Sequence, residues 1–298
     1  MKILITGATG LVGTALVASL ETAHQLVIVS RKPLLARQKL GSEHQYLSSL
    51  DNLTELNDID AVINLAGEPI VGKRWNARQK QRICRSRWDI TSRLTQLIAA
   101  SDTPPHCFIS GSAIGYYGAQ DESLLEEDAK PHEEFSHDIC AKWEQLALNA
   151  QSARTRVCVI RTGIVLARRG GALAKMLPAF RLGLGGPIAD GQQGMSWIHL
   201  TDLVRLILFL LTTPKTQGVY NGTAPYPVSN REFSRSLGCA LQRPALLTTP
   251  AFMLQLLFGE MAHLLITGQY VIPAKAINEG FTFQFPRLAA ALTDLFPR

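Results

Sequence analysis

The sequence predicts an α/β protein with a doubly wound parallel sheet and a smaller C-terminal lobe. Through the first 165 residues, short β-branched runs alternate with segments of helical periodicity, and a glycine-rich stretch follows the first run. The alternation then fades into "RLGLGGPIADGQQGMSW" and mixed short elements. We therefore predict a sheet domain over residues 1–165, with returning segments near 195–225. The smaller lobe and a C-terminal extension should occupy most of residues 166–298.

The individual elements follow from these runs in chain order. The predicted strands cover residues 3–6, 25–30, 61–65, 106–110 and 157–161, and the first helix begins at Leu11. Residues 73–93 are rich in Lys and Arg, but Ile83, Ile90 and Leu94 recur at helical spacing, which indicates an amphipathic helix. Its basic face is either solvated or in contact with an anionic cofactor or substrate. Without an aromatic platform or recognition motif, this face does not indicate nucleic-acid binding.

Composition restricts the class of protein. The chain has 298 residues, 46% of them apolar and 18% charged, with a net charge of +6. Its most apolar runs, 203–211 and 251–266, are too short or too interrupted for a membrane span, and the N-terminus lacks a signal-peptide pattern. Five scattered cysteines without a C-x-x-C pair indicate reduced thiols and no metal site. We expect a cytoplasmic monomer or homodimer.

The stretch "TGATGLVG", residues 6–13, predicts a binding site for a dinucleotide. Gly7, Gly10 and Gly13 would allow a tight turn, close approach of the backbone to a pyrophosphate, and close packing of helix on strand. The helix N-terminus would supply N–H donors to the anion. Because this trio lies at the first strand-to-helix junction, it indicates a Rossmann-type domain more strongly than a plain turn.

The end of the second strand indicates which dinucleotide is bound. In "IVSRKP", Arg31 and Lys32 lie where an acidic residue would bond the 2′-hydroxyl of NAD. Two cations suit a 2′-phosphate instead, so the sequence favours NADP(H) over NAD(H). The alternative is that both are exposed loop charges.

Several motifs together resemble the extended short-chain dehydrogenase/reductase superfamily. They are the glycine-rich loop, "NLAG" at 64–67, "ISGSAIGYYG" at 109–118, "RTGIVL" at 161–166 and "SWIHLTDL" at 196–203. The motifs "KRW", "YNGTAPYPVSNREF" and the tail "GEMAHLLITGQYVIPAKAINEGFTFQFP" are similar, more narrowly, to an atypical NAD-dependent epimerase/dehydratase-like branch. This branch comprises nucleoside-diphosphate-sugar epimerase-like proteins that carry a C-terminal extension. The resemblance implies cofactor contacts at these positions: Gly7, Thr9, Gly10, Leu11, Val12, Gly13, Arg31, Lys32, Leu65, Ala66, Gly67, Arg161 and Gly163.

The resemblance also implies a catalytic site, with one departure. Family chemistry uses a Ser or Thr hydroxyl and a Tyr whose proton transfer is assisted by a Lys four residues later. Ser112 matches the hydroxyl and Lys142 the lysine, but Asp138 stands four residues before Lys142. Asp138 and Lys142 are also compatible with an ordinary helical ion pair. Tyr117, or else Tyr116, is the candidate for a substitute phenol, against a packing role.

Other polar and aromatic residues are candidates for the substrate side of the cleft: Lys73, Arg74, Trp75, Lys175, Arg181, Trp197 and His199. Lys175 and Arg181 are equally compatible with surface charge, and His199 with a hydrogen-bonded structural residue. In the tail, Phe281, Phe283 and Phe285 alternate with polar residues, which predicts a short strand or extended segment docked on the smaller lobe.

The sequence thus predicts an NADP-binding epimerase or oxidoreductase with a non-standard active site. Its substrate would be a small molecule, anionic or nucleotide-linked. The alternative is a non-catalytic NADPH-binding protein with a regulatory or scaffolding role.

Overall fold

A computed structural model describes residues 1–297 and shows a seven-stranded parallel sheet with helices on both faces. The strands of this sheet are β1 (Lys2–Thr6), β2 (Gln25–Val29), β3 (Gln45–Leu47), β4 (Ala61–Asn64), β5 (Cys107–Ala113), β7 (Arg156–Thr162) and β11 (Gly218–Gly222). Their order is β11-β7-β5-β4-β1-β2-β3, so the direction of winding reverses between β1 and β4. The predicted fold class is confirmed, although the predicted strands include neither β3 nor β11.

The remaining strands form three two-stranded sheets. They are β6 (Leu124–Leu125), β8 (Ile164–Leu166), β9 (Gly194–Met195), β10 (Trp197–His199), β12 (Val228–Ser229) and β13 (Tyr270–Val271). The helices are α1 (Leu11–Leu20), α2 (Pro33–Leu40), α3 (Ala77–Ala99), α4 (Phe135–Leu148), α5 (Gly171–Arg181), α6 (Leu200–Thr212), α7 (Asn230–Leu241), α8 (Ala251–Phe258), α9 (His263–Ile266), α10 (Ala274–Asn278) and α11 (Leu288–Leu295). Short 3₁₀ turns cover Ile114–Tyr117 and Gly259–Ala262.

Two apolar layers enclose the main sheet because successive strand residues point to opposite faces. Ile3 and Ile5 of β1 pack in the layer that contains α1 and α6, whereas Leu4 packs in the layer that contains α3 and α4. Burial on both faces explains why the strand is continuously apolar.

The smaller lobe lies at the carboxyl edge of the sheet, because β8 begins two residues after β7 ends. Its own core joins α5, α7 and α11 around buried side chains such as Trp197 and Phe233. The chain returns to the main sheet through α6 and β11. The last residue of the predicted lobe, 298, lies outside the described residues.

The phenylalanine-rich tail is an extended segment, one of the two forms predicted for it, and it docks on both parts of the molecule. Phe285 packs on the core of the smaller lobe as predicted, whereas Phe281 and Phe283 pack against the α6 layer of the main sheet. The backbone N–H groups of Gln284 and Phe285 each donate to the buried Asp202 carboxylate at 2.8 Å. Those donors are unavailable for a strand ladder, which explains an extended segment without a strand partner.

No helix within residues 1–297 has the length and apolar character that crossing a membrane would require. The apolar run at 203–211 lies in α6 and faces the main sheet.

Candidate cofactor and active site

The glycine-rich loop has the geometry that its sequence predicts. Gly7 has a φ of +71°, and a Cβ there would lie 2.5 Å from the carbonyl of Leu65. A Cβ on Gly13 would lie 2.3 Å from the Gly7 oxygen. Both positions therefore require glycine, one for a left-handed turn beside the β4 loop and the other for close packing of α1 on the loop.

The N-terminus of α1 is open. Gly10 occupies the N-cap position and provides no side-chain cap, so the first N–H groups of α1, beginning with Leu11 and Val12, have no intrahelical acceptor. Lys39 donates from Nζ to the carbonyl of the exposed Thr9 at 2.8 Å. The sequence reading missed Lys39, because nothing in its local pattern showed that α2 would bring it back to the loop. Free N–H donors and a nearby cation suit the diphosphate of a dinucleotide.

The turn after β4 completes this side of the cleft. Leu65 and Ala66 are half-buried and lie against Gly7, while Gly67 is exposed. The predicted cofactor loops therefore come together at the switch between β1 and β4, the position at which ligands bind in such sheets.

Arg31 lines a cavity of about 430 Å³ between the end of β2 and helix α3. The residues around this cavity are mostly charged: Arg31, Glu68, Arg78, Gln81, Arg82, Arg85, Ser86 and Asp89. A hydrogen bond from Lys73, with the charges of Arg82 and Arg31, holds the pKa of Glu68 below its usual value. The basic face of α3 therefore contributes to a concave, cation-rich site rather than only to solvated surface. Lys32 is exposed and is not among the lining residues.

A buried polar network closes the cleft below the ends of β5 and β7. Glu144 accepts a hydrogen bond from the Ser112 hydroxyl at 2.6 Å, and two from Arg161 at 2.9 Å each. Arg161 also donates to the Tyr117 hydroxyl at 2.9 Å, and that hydroxyl donates to Asn221 at 2.7 Å. All five residues are at most 5% exposed, so their hydrogen bonds are satisfied within the protein.

This network corrects two predicted roles. Arg161, implied as a cofactor contact, directs its guanidinium to Glu144 and Tyr117 instead. Tyr117, the preferred substitute phenol, is 0% exposed, and burial raises its pKa to about 12 despite the nearby Arg161 charge. It is therefore a structural hydroxyl. Gly163, also implied as a cofactor contact, allows close backbone packing, since a Cβ there would lie 2.5 Å from the Ser196 oxygen.

Helix α4 corrects the alignment of the catalytic lysine. The face toward Ser112 carries Glu144, which accepts the hydrogen bond of the Ser112 hydroxyl, and the buried Cys140 one turn before it. Lys142 is two residues from each, about 200° around the helix, and is exposed with its Nζ 4.3 Å from the centre of the Trp88 ring.

One turn before Cys140 on the same face is the buried Ser136, whereas Asp138 is exposed. On the buried side of α4 that also carries Glu144, the two positions four residues apart are therefore serine and cysteine, with neither a phenol nor an amine. The periodicity of α4 already contained this signal, because Ile139, Cys140 and Trp143 mark its buried side.

Tyr116 remains a candidate from the catalytic set. It is half-buried on the 3₁₀ turn after β5, with the Arg161 guanidinium 3.4 Å from its ring centre. The His137 ring packs edge-on at 5.0 Å. Among residues 1–297, no group hydrogen-bonds to the Tyr116 hydroxyl, which is therefore available to a ligand.

Two candidates on the substrate side are structural. Trp197 is 0% exposed in the core of the smaller lobe. His199 accepts a hydrogen bond from the Thr201 N–H at the start of α6 and packs on Phe285 at 4.1 Å. Strand β10 directs both side chains into the interior, which contradicts the predicted substrate contact of Trp197 and agrees with the structural alternative for His199.

The other substrate-side candidates hold the 68–75 loop at the rim of the cleft. Lys73 pairs with Glu68 at 3.1 Å, and Lys175 of α5 donates to the Val71 carbonyl at 3.1 Å. Arg74 donates to the Leu256 carbonyl of α8 at 2.6 Å, so the C-terminal extension contacts this rim.

Trp75 donates to the Ile70 carbonyl at 3.0 Å and packs edge-on against Phe135. The exposed Arg181 lies at the far end of α5 from Gly171, which is beside Leu11 of the glycine-rich loop. Within the described residues, no three His, Cys, Asp or Glu side chains are grouped as a metal site.

Comparison with known proteins places these features in context. Two family models match the chain, the NAD dependent epimerase/dehydratase family over residues 3–221 and a domain of unknown function (DUF1731) over residues 249–295. The epimerase family protein SDR39U1 of Bos taurus is 38% identical over 303 residues, covering 99% of each chain.

Two solved structures are also similar. The crystal structure of human epimerase family protein SDR39U1 (isoform 2) with NADPH has a TM-score of 0.90 and 36% identity, covering 99% of both chains. The nucleoside-diphosphate sugar epimerase from Corynebacterium glutamicum has a TM-score of 0.77 and 30% identity. That match covers 99% of this chain and 58% of the other.

Proposed function

This chain belongs to the NAD dependent epimerase/dehydratase family, as its motifs predict, and we propose that it binds NADPH for hydride transfer at a non-standard active site. The proposed substrate is a small anionic or nucleotide-linked molecule. The similar human protein was crystallised with NADPH, and the similar bacterial protein is named a nucleoside-diphosphate sugar epimerase.

The cavity at Arg31 is the observation that carries the choice of NADPH. Arg31 follows the end of β2, where the ribose 2′ position of the adenosine half lies in such folds, and α3 adds Arg78, Arg82 and Arg85 around the same space. Four arginines against two carboxylates, Glu68 and Asp89, leave this cavity with an excess of positive charge, which favours a phosphate over a hydroxyl. The open N-terminus of α1 suits the diphosphate of the same molecule.

The groups available for acid–base chemistry are few. NADP(H), when bound, donates or accepts a hydride. Ser112 donates its proton to Glu144, so its oxygen can only accept a further hydrogen bond. Because Tyr117 is enclosed and Lys142 lies on the outer face of α4, we propose Tyr116 as the residue that exchanges a proton with the substrate oxygen. General acid–base assistance is worth about 10²- to 10⁴-fold in rate.

Calorimetric titration of NADPH and NADH tests the cofactor assignment. We expect tighter binding of NADPH, and Arg31→Asp should weaken it at least about tenfold, because hydrogen bonds to charged groups contribute about 1.5–3 kcal/mol. Arg37→Asp is the matched control, since Arg37 is exposed on α2 and does not line the cavity. Equal affinities for the two coenzymes in the native protein would contradict the proposal.

The buried side of α4 supports a second candidate function. Ser136 and Cys140 lie there instead of a tyrosine and a lysine, so the usual acid–base pair is missing. The alternative is therefore a protein that binds NADPH for a regulatory or scaffolding role. Oxidation of NADPH against a panel of carbonyls and nucleotide sugars separates the two functions. For an enzyme, Tyr116→Phe should abolish turnover, whereas Lys142→Gln should not. Turnover that depends on Lys142 would overturn our reading of α4, and no turnover with any member of the panel would favour the alternative.

A further inference from the structure

Arg87 differs from the other arginines of α3. Arg85 is exposed and pairs with Asp89 on its own helix at 3.2 Å. Arg87 is half-buried, and its guanidinium lies 5.2 Å from the centre of the Trp143 ring on α4. On its other side is Gly67, where a Cβ would lie 3.1 Å from the guanidinium carbon and 3.2 Å from Nη2.

The guanidinium of Arg87 is only partly satisfied. Its Nη1 donates to the Ile83 carbonyl at 3.0 Å and to the Ser86 hydroxyl at 3.3 Å. For Nε and Nη2, no acceptor occurs among residues 1–297, and no carboxylate in that range lies within ion-pair distance. Burial lowers the pKa of Arg87, although the charge of the nearby Glu68 carboxylate opposes the shift. Arg161, which is also buried, has Glu144 as its partner.

The position of Arg87 connects the cofactor loops with the predicted reaction site. Gly67 belongs to the turn whose Leu65 and Ala66 lie against the glycine-rich loop. The Trp143 ring that covers Arg87 also lies 3.3 Å from a Cβ position on Gly111, next to Ser112. The guanidinium of Arg87 therefore lies between the exposed Gly67, which covers one of its faces, and the Trp143 ring that also approaches Gly111 next to Ser112.

We propose that Arg87 is an anion-binding residue of this cleft, with Nε and Nη2 pairing to a phosphate or carboxylate oxygen of a bound ligand. An arginine edge with two parallel N–H groups matches such an oxyanion in a bidentate arrangement. The anion has two sources, the diphosphate of the coenzyme or an acidic group on the second ligand. This inference rests on the proposed binding of NADPH.

Titration of coenzymes tests the first source. Arg87→Gln and Arg87→Lys are compared with Lys142→Gln, which removes an exposed charge stacked on Trp88 in a similar way. If the diphosphate is the partner, Arg87→Gln should weaken NADPH and NADH by the same factor, at least about tenfold, because only the 2′-phosphate distinguishes them. Arg87→Lys should restore part of the loss, and Lys142→Gln should change neither affinity by more than about twofold.

The second source is tested with malonate and inorganic phosphate as probes, added to protein saturated with NADPH and followed by tryptophan fluorescence. If Arg87 receives a substrate anion, Arg87→Gln should bind both coenzymes normally but lose the saturable response to these probes. Thermal unfolding of each variant verifies that it is folded. If Arg87→Gln does not fold, Arg87→Lys provides the comparison, with an expected loss of at least about threefold because lysine cannot reproduce the bidentate edge.

The proposal is overturned if folded Arg87 variants match the native protein in coenzyme affinity and in anion response, or if Lys142→Gln causes equal losses. Failure of the native protein to bind NADPH would instead contradict the proposed function. In that case, the probes are titrated into the coenzyme-free protein, where loss of the response in Arg87→Gln still supports the anion site.

Discussion

The buried ion pair between Glu144 and Arg161 allows a quantitative prediction. Both residues are less than 5% exposed, and two parallel hydrogen bonds of 2.9 Å join them. Burial alone would lower the pKa of Arg161, but the hydrogen bonds and charge of Glu144 outweigh it and hold that pKa above its ordinary value. The substitution Glu144→Gln preserves the shape and one acceptor oxygen but removes the charge, leaving a buried guanidinium without its counter-ion.

The expected cost is substantial. Breaking a buried ion pair by removing one partner costs about 3–5 kcal/mol, and the remaining amide oxygen places Glu144→Gln near the lower end, at about 3 kcal/mol. With the usual unfolding entropy per residue, a loss of about 3 kcal/mol in this chain corresponds to a fall of about 5 °C in Tm. The loss arises chiefly from an uncompensated charge, so Glu144→Leu combined with Arg161→Met should recover part of it.

Calorimetric unfolding of the native protein, the single variants and the double variant measures these effects. Lys142→Gln on the exposed face of α4 is the control and should shift Tm by less than about 1 °C, because exposed charges contribute little. If Glu144→Gln melts within about 1 °C of the native protein, the described pair does not stabilise the fold as argued. The same follows if the losses of Glu144→Leu and Arg161→Met, each measured as a single variant, add up in the double variant.

Two further predictions concern thiols and pH. Cys239 is exposed, whereas the other four cysteines are buried, and burial raises the pKa of Cys140 to about 12. A thiol reagent should therefore modify one cysteine in the native protein and five after unfolding. Rapid modification that persists in Cys239→Ser would contradict this accessibility. Burial lowers the pKa of His199 below 6.5, although the carboxylate of Asp294 at 3.4 Å opposes the shift. The unfolded chain therefore binds this proton more readily than the folded protein does. As a result, the free energy of unfolding should fall as pH drops below about 6.5. His199→Asn keeps an oxygen to cap α6 and should reduce this pH dependence in urea titrations at pH 5 and pH 8, whereas an unchanged slope would assign it to other groups.

Local patterns predicted the fold and the cofactor loop well. The apolar run of β1 followed by glycines at positions 7, 10 and 13 predicts a strand, a tight turn and an open helix, and the structure contains all three. This works because the backbone conformation of a tight turn depends on a few adjacent residues. The cation at Arg31 was also identifiable, since its position follows directly from the end of β2.

The active site was less predictable because it depends on helix rotation and burial. Counting from a lysine in α4 selected Asp138 and Lys142, but packing against β5 turns Glu144 toward Ser112 and buries Ser136 and Cys140 on the same side of the helix. A displacement of two residues along the helix rotates the selected face by about 200°. An alignment error too small to affect the fold therefore selects side chains on the opposite side of α4.

The sequence by itself determined that this chain forms a parallel α/β sheet with a dinucleotide loop and a basic helix. Only the tertiary structure decided what individual polar residues do. Arg161 and Tyr117 belong to the interior because Glu144 and Asn221, distant in sequence, satisfy them there. Among residues 1–297, Arg87 has no such ion-pair partner. Strand and turn formation depends on neighbours along the chain, whereas the pairing of a buried charge depends on which distant side chains the fold brings within hydrogen-bonding distance.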